Sequence, residues 1–164
     1  VYKRQDRDPV IAAQMWCDKH VVKMILESAQ MLCAAHRVLD GDECADKMGL
    51  YKMVHKNHPS TIWTRTSKKN YDWHWKHFDA LLKEYTHRYG KHHATERLLE
   101  PLKDCPKTIP TIDFTDPPQC MPDEFKQEDA VQAYRAYYHS KIHSAGGVHY
   151  RHTSPPDWWM GVTA

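Results

Sequence analysis

"DRDPVIAAQMWCDKHVVKMILESAQMLCAAHRVLDGDE", Asp6 to Glu43, decides the fold. Asp8 carries a side chain suited to capping free helix N–H groups, and Pro9 fits the first helical position. Val21, Val22, Ile25, Leu26, Ala29, Leu32 and Cys33 then recur at helical spacing and form one broad apolar face. Asp40-Gly41 supplies a stop. One long helix is therefore expected from Pro9 to Asp40. At about 100° per residue, His20, Lys23 and Glu27 fall within about 60° of one line, on the side away from that apolar face. A solvated stripe with a Lys-Glu pair at i,i+4 accounts for the charges. It does not account for Met24 and Met31, which share the line. The alternative is a carboxylate set beside His and Lys on a rigid helix, an arrangement suited to acid/base work.

Downstream, residues 41 to 59 read as a loop that closes on "HKNHPS", His55 to Ser60. Pro59 and Ser60 open a second helix, with Ile62, Trp63, Tyr71, Trp73, Phe78, Leu81, Leu82 and Tyr85 on its apolar side and Gly90 as the residue past its end. A short helix is expected over 94 to 100. Pro101, Pro106, Pro110, Pro117, Pro118 and Pro122 then argue against helix and for a rigid connection across the surface. The last helix is "KQEDAVQAYRAYYHSKIH", Lys126 to His143, broken by Gly146-Gly147. The tail "SPPDWW" is expected to fold back, with Trp158 and Trp159 against the body. No strand pattern and no repeat stands out. The expected fold class is all-α, a compact single domain of three main helices with a Pro-rich connection and a folded-back C-terminal tail.

The chain of 164 residues fits one domain with one core. No apolar run reaches the length of a membrane span, and no signal-peptide pattern opens the sequence. "VYKRQ", Val1 to Gln5, has a back-translation that matches a transposon-end sequencing adapter, so the domain is expected to be residues 6 to 164 of a metagenomic gene fragment. Net charge is only +2, which by itself does not mark a nucleic-acid binder. Residues 47 to 97, however, carry 11 Lys+Arg against 4 Asp+Glu, between mildly acidic flanks. Such a block either attracts phosphate or is a solvated Lys-rich surface. Five cysteines without a CxxC pair argue against a disulfide framework and for a reducing, cytoplasmic setting.

"HKNHP" places short polar side chains at a helix start, where free N–H groups attract anions; plain capping by Asn57 or Ser60 is the simpler account. "RYGKHH", Arg88 to His93, gathers cations at a helix C-terminus, where they stabilise the dipole in any case. Thirteen histidines invite a metal, and His20, His55, His58 and His93 could converge. Yet HExxH, CxxC pairs and a calcium loop are absent, so no metal and no cofactor are expected.

The order "CDKHVVKMILESAQML", "NHPSTIW", "MPDEF" and a terminal "PPDWW" resembles the pyrimidine-dimer DNA glycosylase family, the phage endonuclease V type, and its small phage and bacterial relatives. The resemblance covers most of residues 8 to 159. Asp18, His20 and Glu27 match that family's D-x-H and the catalytic Glu seven residues beyond the His. Asn57, His58, Pro59 and Trp63 match the Asn-His-Pro and following Trp of the bacterial relatives. Leu26 stands where the phage enzymes carry an Arg. The resemblance implies a DNA glycosylase with AP-lyase activity on damaged pyrimidines in duplex DNA, acting as a monomer. In that family the α-amine of the mature first residue attacks C1′, and the Glu serves base release and the later β-elimination. Glu27 would then be the catalytic carboxylate and His20 its helper. Lys23, Asn57, His58, Arg65 and Lys91 would face substrate or DNA, and Lys23 is a possible substitute amine. A non-catalytic DNA-binding protein and a His-based metal enzyme are the other functions considered.

Overall fold

The computed structural model describes residues 7–119, 121, 123–126, 128–142 and 149–158. These form an all-α fold: α1 (Pro9–Gln14), α2 (Asp18–Asp40), α3 (Asp42–Lys47), α4 (Pro59–Thr66), α5 (Lys68–Tyr89), α6 (Leu99–Lys103) and α7 (Ala130–Ile142), with short 3-10 turns at Ala94–Leu98 and Asp123–Phe125. The core is centred where α2 packs on α5 and buries Trp16, Ile25, Leu32, Tyr71, Phe78 and Leu81.

The first expected helix is two. Asp8 caps α1 as expected, its carboxylate accepting the Val10 N–H at 2.8 Å. The chain then leaves helical geometry, and Cys17 is extended at φ −68° and ψ 162°. The cause is tertiary. Arg88 from α5, wholly buried, donates to the carbonyls of Gln14 (3.0 Å) and Trp16 (2.6 Å) and to the Asp18 carboxylate (3.2 Å). Carbonyls that a continuous helix would spend on itself are spent on a guanidinium instead.

The second expected helix also divides, at Ser67. This residue is extended at φ −152° and ψ 157°, and its side chain accepts the Asn70 N–H at 3.1 Å as the cap of α5. Fully buried Asn70 donates to the Trp63 carbonyl at 3.0 Å, fixing the bend between α4 and α5. Gly90 ends α5 at φ 68°, a left-handed position that favours glycine.

The structure departs from the expected elements at three further places. The 41-to-59 segment contains α3, held because buried Arg37 bonds Asp42 (3.0 Å), Asp46 (2.9 Å) and the carbonyls of Leu50 (3.0 Å) and Tyr51 (2.6 Å). Pro101 does not stop a helix. It lies in the first turn of α6, where a missing N–H costs nothing. The last helix begins at Ala130 rather than Lys126, after Asp129 accepts the Val131 N–H at 2.9 Å.

The Pro-rich connection is a strap, tied down by Asp40 to the N–H groups of Lys107 and Thr108, by Lys68 N–H to Pro110 O, and by Trp63 Nε1–H to Thr115 O. The tail folds back. Tyr150 donates to Met15 O at 2.7 Å, Arg151 N–H to Asp18 at 2.9 Å, and Trp158 meets Tyr138 edge-on at 6.2 Å. Trp159, the Gly146-Gly147 break and Val1 to Gln5 lie outside the described residues.

Candidate functional site

On α2 the buried arc is rotated toward the polar line. Val21, Met24, Ile25, Ser28, Ala29, Met31 and Leu32 are buried, while Val22 and Leu26, expected on the core side, are 36% and 41% exposed. The reason is that both α4 and α5 pack on α2, so its covered face is set by two neighbours. The two methionines are therefore core residues, and Glu27 and His20 stand half-buried at the edge of the covered face.

Glu27 opens onto a pocket of about 170 Å³ lined also by Gln30, Met31, Val54, His55 and His58. Two distant sequence candidates, Glu27 and His58, are thus brought to one cavity. Lys23 Nζ lies 3.9 Å from the Glu27 carboxylate on the exposed side. His58 caps α4 itself, its Nδ1 accepting the Ser60 N–H at 3.1 Å, which neither Asn57 nor Ser60 was expected to leave to it. On its other side His58 borders an open groove of about 660 Å³ with Pro59, Pro117, Pro118, Gln119, Met121 and Lys126.

The remaining candidates are elsewhere or hold structure. His20, two helical turns from Glu27 and so about 10 Å along the axis, shares a 3.0 Å hydrogen bond with the Tyr138 hydroxyl and meets Trp16 edge-on at 5.7 Å. Burial holds the Tyr138 phenol far above its ordinary range, so it stays protonated. Asp18 is a buried structural carboxylate under Arg88. Asn57 is exposed on the loop beside the pocket. Arg65 anchors that loop, donating to the Lys56 carbonyl at 2.7 Å, and partial burial pulls its pKa below the usual arginine value. Lys91 is exposed past the C-terminus of α5, the end that packs on the start of α2, and does not line the pocket.

His55, named from the sequence only as one of four histidines that could converge on a metal, is the histidine of the pocket left out of the expected DNA-facing set. Its φ of 50° is left-handed, uncommon for a residue with a Cβ and costing on the order of 1 kcal/mol. The turn is closed by His58 N–H to His55 O at 3.0 Å. The available signal was the pair of histidines three apart on either side of Lys56-Asn57, just ahead of a helix start.

The basic block is less bare than its composition suggests. Lys47, Lys52, Lys68, Lys69 and Lys83 each lie within ion-pair distance of an Asp or Glu, and Arg88 is buried. Such surface pairs add little stability but offset part of the local positive charge. Among the described residues no three of His, Cys, Asp and Glu gather as a metal-ligand set, and no helix is long and apolar enough to cross a membrane. No family model, no curated protein and no solved structure matches the chain.

Proposed function

We propose that this chain is a DNA glycosylase with AP-lyase activity, acting on damaged or modified pyrimidines in duplex DNA. The observation that carries the reading is the half-buried Glu27 at the wall of a pocket shared with His55 and His58. A carboxylate on a long, packed helix stabilises the positive charge that develops on a sugar as its base leaves, and can move protons in the steps that follow. An extruded nucleotide supplies the sugar. The reaction also needs an amine that forms a Schiff base at C1′. The α-amine of a mature N-terminus is one source, and the first residues lie outside those described. Lys23, beside Glu27, is the other.

Borohydride trapping on duplexes carrying an abasic site or a cyclobutane dimer tests this, using protein with its native N-terminus. A covalent adduct is expected, with its position mapped by mass spectrometry to the N-terminus or to Lys23, and Glu27→Gln should abolish strand nicking. No adduct, together with nicking unchanged by Glu27→Gln, refutes the proposal. Salt-dependent duplex binding without cleavage would instead establish a non-catalytic DNA-binding protein.

A further inference from the structure

Two histidines share the pocket with Glu27, and their bonding differs. His58 Nδ1 accepts the Ser60 N–H at 3.1 Å, so in the neutral ring the proton sits on Nε2. Adding a proton at Nδ1 would break the cap and set a positive charge on the start of α4, where the helix dipole opposes it. His58 is thereby fixed as a hydrogen-bond donor. His55 has no such commitment: among the described residues its ring is engaged by no hydrogen bond and no ion pair. It is also held in a left-handed conformation, with the turn closed onto His58 N–H and the loop pinned by Arg65 to Lys56 O at 2.7 Å. A strained residue persists only where its surroundings over-determine it, and such residues cluster at sites that need a side chain aimed. The loop could relax with a glycine here, yet it presents an imidazole to the carboxylate's pocket.

We infer that His55 is a catalytic base of this pocket, taking the C2′ proton in the elimination step. The inference rests on the DNA-lyase reading above. With the amine bonded to C1′ as a protonated Schiff base, neutral His55 removes a hydrogen from C2′. The C2′–H electron pair forms a C1′–C2′ double bond, and the nitrogen takes up the electrons of the C=N bond. Those electrons then return, a C2′–C3′ double bond forms, and the C3′–O bond breaks with the phosphate as leaving group. The proton remains on His55 until it passes to solvent. Glu27, with Lys23 at 3.9 Å, faces the pocket from α2, and His58 faces it from the head of α4. Arg65 and Lys56 are the cations beside the turn, while Gln30, Met31 and Val54 are uncharged.

The test is single-turnover nicking of an abasic-site duplex as a function of pH, with wild type, His55→Asn and His55→Gly. Asparagine tolerates the left-handed region and glycine is at ease in it, so neither variant loses the turn. Both are expected to keep the wild-type thermal midpoint and to nick about 100-fold more slowly, the lower end of general acid–base contributions. Both should lose the acidic limb that a general base gives a pH–rate profile. Borohydride adduct formation, which precedes C2′ proton removal, should persist. Nicking by His55→Asn within about 3-fold of wild type, or a slower rate with the acidic limb intact, overturns the assignment while leaving the lyase reading in place. A wild type that neither traps nor nicks removes both.

Discussion

Arg88→Met isolates the contact that breaks the first helix. The guanidinium is wholly buried and bonds Trp16 O at 2.6 Å, Gln14 O at 3.0 Å, Glu84 at 2.8 Å and Asp18 at 3.2 Å. Methionine fills a similar length and removes every one of these donors. Asp18, 5% exposed, would keep only the Arg151 N–H at 2.9 Å and the exposed Arg151 guanidinium at 3.5 Å. Breaking one side of a buried pair costs about 3–5 kcal/mol, because the other charge stays behind without compensation. At roughly 2–4 °C per kcal/mol for a domain of this size, Tm should fall by about 6–20 °C. Urea unfolding followed by tryptophan fluorescence is the assay, since Trp16 sits inside the affected corner. The double variant Arg88→Met/Asp18→Asn should be more stable than Arg88→Met alone, because the more deeply buried of the two orphaned carboxylates is then neutral. A loss below about 1 kcal/mol in the single variant, or a double variant as unstable as the two single losses combined, would refute the account.

Three further outcomes are expected. Buried His36 shares a 2.8 Å hydrogen bond with Tyr71 OH, which itself donates to Leu102 O, and burial lowers the His36 pKa below 6.5. The unfolded chain therefore binds a proton that the folded chain refuses, so stability should decline as pH falls from about 6.5 toward the lowered His36 value; urea midpoints across that window should decline less steeply for His36→Gln than for wild type. Asn70→Ala removes the amide that donates to Trp63 O and Thr115 Oγ1 and accepts the Thr115 N–H, at a cost of about 2–3 kcal/mol, and limited proteolysis should then cut the Pro-rich strap near Thr115 faster. Lys91→Ala, outside the pocket lining, should leave single-turnover nicking within about 2-fold and lower the salt slope of duplex binding by no more than about 1, as measured by fluorescence anisotropy.

The all-α class was legible because helical period, caps and breakers are local. Asp8 begins a helix through its own side chain, Gly41 and Gly90 end helices through their own backbone freedom, and the structure uses each of them there. The breaks at Cys17 and Ser67 were not legible, because apolar periodicity runs straight through both. What bends the chain is a buried Arg88 some seventy residues away in one case and a buried Asn70 reaching back to Trp63 in the other. The site divides along the same line. Spacing alone put Glu27, Lys23 and His20 on one side of a helix. Only the packing of two helices against α2 decided that Met24 and Met31 belong to the core, that Leu26 does not, and that Glu27 sits at the boundary. Convergence of Glu27 with His55 and His58 depends on where α4 docks, and the left-handed turn at His55 depends on Arg65 holding the loop. Period and capping act over a few residues and so are written in the sequence. Which edge of a helix becomes a pocket is settled by partners distant in the chain.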